Sequence, residues 1–502
     1  MRDSRLSTSM PPRASIRDAR AIHGRCPGSV RGLGTRRAFL QAAGGGLGWL
    51  GCCALASRES QGAAASELPP GLHHAPRAKS VIQVFCTGAM SHVDTFDYKP
   101  ELEKRAGQPF DPTGELQFFG SKPGVCMPSH WPFRQHGESG LWMSDLLPRL
   151  GECVDDMAFI HSMHSKSALH GPATFMMTTG FLRPNFPSMG AWIAYGLGSL
   201  NDNLPSFVVL PDWRGMPPGG ALNWGAGFLP AMHQGTSLRV REDRIEMPNL
   251  VPPDQLAWSA QEDDATLEAI LELDRRHLAS RAGDTALEAR IEAYEMAARL
   301  QLSAPEVTDL SDETAATLER YGFGIPEIEP FARQCLMARR LVERGVRFVQ
   351  LFCGADNVPP PRPNWDGHED IKVNHGKHGP VYDRAVSALI QDLKTRGLLD
   401  ETLVIGSSEF GRQPAAQGKG RDHNPDAFTV WLAGGGVRGG TAWGASDELG
   451  WQAVENRSTT YDLHATCLHL LGIDHTRLTW YHDGIERRLT DVHGHVIDGL
   501  IA

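Results

Sequence analysis

Residues 401–425 read ETLVIGSSEFGRQPAAQGKGRDHNP. Here Leu403, Val404 and Ile405 form a short apolar run that ends in Ser407-Ser408-Glu409, with Gly411 close behind. Fourteen residues after Glu409 stands His423, within Arg421-Asp422-His423-Asn424. A short apolar run bounded by small and polar residues reads as a buried parallel strand. Its carboxylate then emerges at the C-terminal edge, where open α/β sheets place their chemistry, and a polar loop brings back an imidazole. Carboxylate and imidazole are ligands suited to zinc and similar divalent ions.

Outward from this stretch, strand and helix signals alternate. Strands are expected at 80–86, 157–160, 206–210, 346–353, 402–405 and 429–433, and helices at 172–180, 331–344, 381–396 and 461–471. Such alternation predicts an α/β fold, a three-layer αβα sandwich around a mostly parallel sheet. Residues 211–326 break the rhythm, first as a Gly-, Pro- and Trp-rich loop and then, over 263–302, as charged helical spacing. They are expected to form a loop-plus-helix insertion over the active edge, within a domain spanning 80–500. Trp213 and Trp224 of that insertion read either as packing residues or as platforms for sugar rings.

The 502 residues carry a net charge of −10. Residues 1–37 hold nine Arg against two Asp, so the remainder stands near −17, which argues against nucleic acid as a partner. Thr35-Arg36-Arg37-Ala38-Phe39-Leu40-Gln41, ahead of a glycine-rich apolar stretch from Ala42 to Ala56, has the twin-arginine pattern. Residues 1–56 are therefore expected to be an export leader and 57–79 a polar linker, with a periplasmic or cell-envelope destination. That stretch is too short to span a membrane, while Cys52 is a candidate lipid-anchor position. The six cysteines beyond the leader are scattered, with no CxxC pair, and read as buried free thiols.

Three further clusters fall just after predicted strands. One is Ser91-His92-Val93-Asp94-Thr95-Phe96-Asp97, another Asn364-Trp365-Asp366-Gly367-His368 with His375 and His378 following, and the third His161 and His164 with His170. A lone surface histidine or aspartate is usually structural or solvated, but four such clusters at strand C-terminal ends point to one shared metal site. Neutral imidazoles and ionised carboxylates would be needed there, so occupancy should fall below about pH 6.

These clusters, with Ser139-Gly140-Leu141-Trp142, Glu409-Phe410-Gly411-Arg412, Gly420-Arg421-Asp422-His423-Asn424-Pro425, Trp431-Leu432-Ala433-Gly434-Gly435-Gly436 and Asp462-Leu463-His464-Ala465-Thr466, resemble the exported proteins of the domain-of-unknown-function 1501 family. That family is related to sulfatases within the alkaline-phosphatase-like superfamily. The resemblance implies an alkaline-phosphatase/sulfatase-like sandwich with one or two divalent ions of the zinc, calcium or magnesium type. Asp366 and His368 look like the superfamily's Asp…His metal pair at a shorter spacing, Glu409 like its later acid with Phe410 replacing the neighbouring histidine, and His423 like its lone histidine. Asp94, or His92, would stand in for the acid after the first strand. His170-Gly171-Pro172-Ala173-Thr174 keeps the Pro spacing of the sulfatase signature but puts His170 at the cysteine and Thr174 at the arginine. His170 is then a metal ligand or general acid/base, a nucleophile, or the relic of a lost activity.

The function expected is an exported metal-binding sulfatase-like hydrolase of sulfate or phosphate esters, with polysaccharides among the substrates considered. His170, His92 and Arg412 are the candidate catalytic groups, Arg412 as an oxyanion clamp. Asp94, Asp366, His368, Glu409 and His423 are the candidate metal ligands. The alternative is a non-catalytic envelope protein of the same fold that binds a glycan or a protein.

Overall fold

The seven residues SVIQVFC form a fully buried strand, β1 (Ser80–Cys86), at the middle of a sheet. The structure is a computed structural model that describes residues 71–502, except 112–115, 117–121, 202, 241–244, 247–259, 280, 282–290, 292–308, 357 and 359–361. The leader read at 1–56, Cys52 included, lies outside the described residues.

Setting aside short two-stranded hairpins elsewhere, the further strands that frame the site are β2 (Met157–Met163), β3 (Phe207–Leu210), β4 (Thr236–Ser237), β5 (Phe348–Cys353), β6 (Thr402–Ser407), β7 (Gly411–Gln417), β8 (Gly420–Asn424), β9 (Phe428–Ala433) and β10 (Thr441–Trp443). Eight of them make one sheet in the order β10-β2-β9-β6-β1-β5-β3-β4. All run in one direction except β9, which is antiparallel to both neighbours. Helices α1 (His170–Thr179), α2 (Met189–Leu197), α3 (Glu329–Glu343), α4 (Ile371–Thr395) and α5 (Thr460–Leu470) cover its two faces.

Side chains alternate across a strand, and β1 sorts accordingly. Ile82, Val84 and Cys86 enter a core cluster with α3 and α4, whereas Val81 and Phe85 enter another with α1, α2 and α5. A mostly parallel sheet buried on both faces by helices is the three-layer sandwich expected. Gln83, in the middle of β1, escapes orphaning by accepting from Gln350 Nε2 at 3.2 Å and donating to Ser407 Oγ at 3.4 Å. The six cysteines beyond the leader are all buried and free.

Three features differ from the sequence reading. The segment expected as a polar loop is a β-hairpin, β7 and β8, in which Arg412 pairs with His423. Helix α4 begins at Ile371, ten residues before the expected start, capped by Asp370 accepting from Val373 N and carrying Pro380 inside. His375 and His378 therefore lie on a helix and face the core. Thirdly, residues 211–326 contribute β4 to the sheet edge, and Trp224 is buried with its ring 5.7 Å from that of Phe352. That burial removes Trp224 as a sugar platform.

Candidate functional site

The C-terminal ends of β1, β5 and β6 lie side by side in the sheet and deliver three loops to one place. After β1, Gly88 turns the chain with φ +100, where a Cβ would come within 2.7 Å of Asp366 N. Only glycine fits so tight an approach at that φ. Its N–H donates to Glu409 Oε1 at 2.8 Å, so the β1 loop fixes the carboxylate at the end of β6.

Asp366, after β5, is the hub. Its Oδ1 lies 3.2 Å from His368 Nε2, 3.6 Å from His423 Nε2 and 2.5 Å from Arg412 Nη2, and its Oδ2 lies 3.5 Å from His170 Nε2. Burial alone would raise this carboxyl, but the Arg412 guanidinium, with His170 and His423, holds it far below the usual carboxylate range.

The two imidazoles beside it meet head-on, His368 Nε2 and His423 Nε2 being 2.7 Å apart. His423 Nδ1 is 2.6 Å from Ala168 O, an atom that only accepts, so a neutral His423 presents Nε2 as a lone pair. His368 Nδ1 faces Gln417 Oε1 at 2.6 Å, which turns its Nε2 lone pair the same way. The two ring nitrogens and the carboxylate oxygen, mutually 2.7–3.6 Å apart, need either a hydrogen shared between the rings or a cation lying among them. For comparison, tetrahedral zinc with ligands at about 2.0–2.1 Å sets its donor atoms roughly 3.3 Å apart. The donor set thus fits a divalent ion. Two overlapping groups of donors converge within 4.8 Å, His170–Asp366–His423 and His368–Asp422–His423.

His170 opens α1. Its Nδ1 lies 2.7 Å from Glu409 Oε1, and its Nε2 is buried with no hydrogen-bond partner. Burial would lower its pKa, yet the Asp366 and Glu409 carboxylates outweigh that and raise it to about 9. Burial does prevail at His423, whose pKa is lowered. Phe410, with its ring 5.0 Å from His170 and 4.8 Å from His423, seals the floor.

Asp366, His368, His423 and His170 are therefore brought together, with Glu409 behind His170. Arg412 touches the cluster but is fully buried, and its guanidinium donates to Ala89 O, Gly88 O, Arg421 O and Asp366. With its hydrogens taken by three carbonyls and the Asp366 carboxylate, the buried guanidinium positions Asp366 and is not open to serve as a clamp. Asp94 is directed elsewhere, accepting from Arg421 Nε at 2.7 Å and Ser91 Oγ at 2.5 Å. His92 is buried too, its Nε2 2.8 Å from Gly450 O. Thr174, at the sulfatase arginine position, donates back to His170 O at 2.7 Å. The sequence reading missed Gln417 and the Ala168 carbonyl; neither residue type signals metal chemistry until the hairpin sets it against a ligand.

Sheet, edge and cluster define an α/β protein with an imidazole–carboxylate centre of the kind that holds divalent ions. The chain belongs to the family described as Protein of unknown function (DUF1501), which matches residues 78–501. No curated protein matches it. Among solved structures, Ps i-CgsB in complex with k-i-k-neocarrahexaose is 11% identical, with 78% of this chain and 72% of that one covered at a TM-score of 0.35. The lipoteichoic acid synthase LtaP from Listeria monocytogenes is 10% identical, with 83% and 77% covered at 0.31. The phosphonate monoester hydrolase SpPMH from Silicibacter pomeroyi is 12% identical, with 65% and 68% covered at 0.32. Such values describe a distant likeness of chain path and leave the chemistry to the residues themselves. No helix among the described residues is long and apolar enough to cross a membrane.

Proposed function

We infer that the protein is a metal-dependent hydrolase of sulfate or phosphate esters, exported by the twin-arginine route to the periplasm or cell envelope. The observation that carries this reading is the head-on approach of His368 Nε2 and His423 Nε2 at 2.7 Å beside Asp366 Oδ1. Asp366, His368 and His423 would hold the ion. When bound, a divalent ion there supplies charge for an ester oxygen and a water of lowered pKa.

The chain's own groups do the rest. Glu409 accepts from His170 Nδ1 and fixes the ring, so that Nε2 is the nitrogen turned to the cluster. His170, with the Asp366 and Glu409 carboxylates on either side of its ring, is placed to give a proton to the leaving oxygen. Arg412 keeps Asp366 ionised and in place. Phe410, fully buried against the His170 and His423 rings, gives the cluster an apolar side.

One feature favours the non-catalytic reading instead. The head of α1 offers an imidazole where the superfamily has its nucleophile, and the nearby Thr174 hydroxyl is engaged with backbone. Metal content per chain, measured by mass spectrometry on protein purified without chelators, together with an ester-hydrolysis assay, separates the two. The hydrolase reading expects one divalent ion, lost in Asp366→Ala and His423→Ala, with ester hydrolysis falling at least about 100-fold in both. A folded protein that carries no ion, or that cleaves no sulfate or phosphate ester, overturns it.

A further inference from the structure

Away from the metal cluster, a cleft of about 350 Å³ opens between α4 and the segment 145–149, with Trp131, Asp145, Arg149, Gly376, Asp383 and Arg384 in its walls. A cleft of that volume lies within the range of small-molecule sites.

Its charges do not balance. Asp145 is held by Arg134, Nε to Oδ2 at 3.0 Å. Asp383 is buried and accepts from Leu150 N at 2.8 Å and Arg149 N at 3.3 Å, while burial pushes its carboxyl up to about 6. Both acids are thus already satisfied. The guanidinium groups are not: Arg149 is exposed, with no ion-pair partner among the described residues. Arg384 donates Nη2 to Glu319 O at 2.5 Å, but its Nε is buried without a partner. On the same helix Lys372 and Lys377 are exposed.

Guanidinium pairs match planar or tetrahedral oxyanions. The half-buried Trp131 indole beside Gly376 adds a flat apolar surface, and Leu146, Pro148 and Pro380 extend it. An oxyanion site next to an aromatic platform and apolar walls suits a ring with one C–H-rich face and an anionic substituent.

We propose that this cleft binds an anionic sugar ring, a sulfated or carboxylated pyranose within a polysaccharide. Helix α4 begins three residues after His368, and Gly376 to Arg384 covers about 12 Å of it. A polymer held in this cleft with one ester at the metal cluster would run along this helix, and that path is part of the proposal. Only that last link rests on the hydrolase reading; the binding itself does not.

The test is calorimetric titration of the full chain with low-molecular-weight dextran sulfate, and with unsulfated dextran of equal length, at near-physiological salt. Dextran sulfate is expected to bind and dextran not. Trp131→Ala should weaken binding about tenfold, Trp131→Phe less, and Arg149→Ala with Arg384→Ala at least tenfold. Bound metal should stay unchanged in all of them. Equal binding of both polymers, or wild-type affinity in a Trp131→Ala protein that melts normally, overturns the proposal. Should Trp131→Ala fold poorly, the exposed Arg149→Ala decides alone, and wild-type affinity there overturns it as well. Loss of binding with metal and turnover intact condemns the cleft alone, whereas missing metal with binding intact condemns the hydrolase reading alone.

Discussion

Replacing Arg421 by Met should cost about 3–5 kcal/mol of folding stability and leave bound metal untouched. Arg421 and Asp94 are both fully buried, 2.7 Å apart. Arg421 also donates to Gln413 O, Pro414 O, Met127 O and Pro128 O, so it ties hairpin β7–β8 to two other segments. Without it, Asp94 keeps one side-chain donor, Ser91 Oγ, for a buried charge. Asp94→Asn/Arg421→Met removes both charges and should recover at least about 2 kcal/mol of the single-mutant loss. Burial would raise the Asp94 carboxyl, but Arg421 holds it below its ordinary value. Its contribution is thus present above about pH 4 and lost as pH falls through the depressed folded value, a loss the Arg421→Met variant should not show. Urea unfolding followed by tryptophan fluorescence, with metal content measured in parallel, checks both halves. A cost below about 1 kcal/mol refutes the burial argument. Loss of metal in Asp94→Asn, with the fold intact, returns Asp94 to the ligand set.

Two further outcomes follow from other contacts. Gln417→Ala removes the group that directs His368 Nδ1, and should weaken metal affinity about 10–100-fold with little effect on melting temperature; unchanged affinity shows that Gln417 does not set the tautomer. Burial lowers His375 and His378 to about 3, so each contributes stability at neutral pH that is lost as pH falls below about 6.5, about 2 kcal/mol each at pH 5. Asp383, raised to about 6, returns about 1 kcal/mol over the same interval. Denaturant titrations at pH 7 and 5 should therefore differ by several kcal/mol, and by about 2 less in His378→Leu. Equal stability at the two pH values refutes neutral burial of these rings.

The apolar runs at Ser80–Cys86 and Thr402–Ser407 were legible because a strand buried on both faces has little room for polar residues. The same uniformity conceals direction, so nothing in Phe428–Ala433 marks it as antiparallel. The start of α4 was hidden by Gly376, Gly379 and Pro380, which suppress helix propensity, although at Gly379 a Cβ would collide with Leu146 Cδ1. Hairpin β7–β8 was hidden because its residues read as a polar loop although Gly420–Asn424 is buried throughout. Residue type after strand ends points to Asp366, His368 and His423, which the fold brings within 3.6 Å of one another. The diversion of Asp94 was not, because its partner lies 327 residues away and no local pattern encodes it.

That distance has a temporal counterpart. His170 meets Glu409 across 239 residues and Ala168 meets His423 across 255. Closing such loops comes late, since long-range pairing must absorb its chain entropy before it is rewarded. The strand carrying His423 ends at Asn424 of 502 residues, so a growing chain lacks this donor cluster until most of it has been synthesised. The cluster therefore belongs to the late fold, and a chain that stops short of β8 presents its two halves apart.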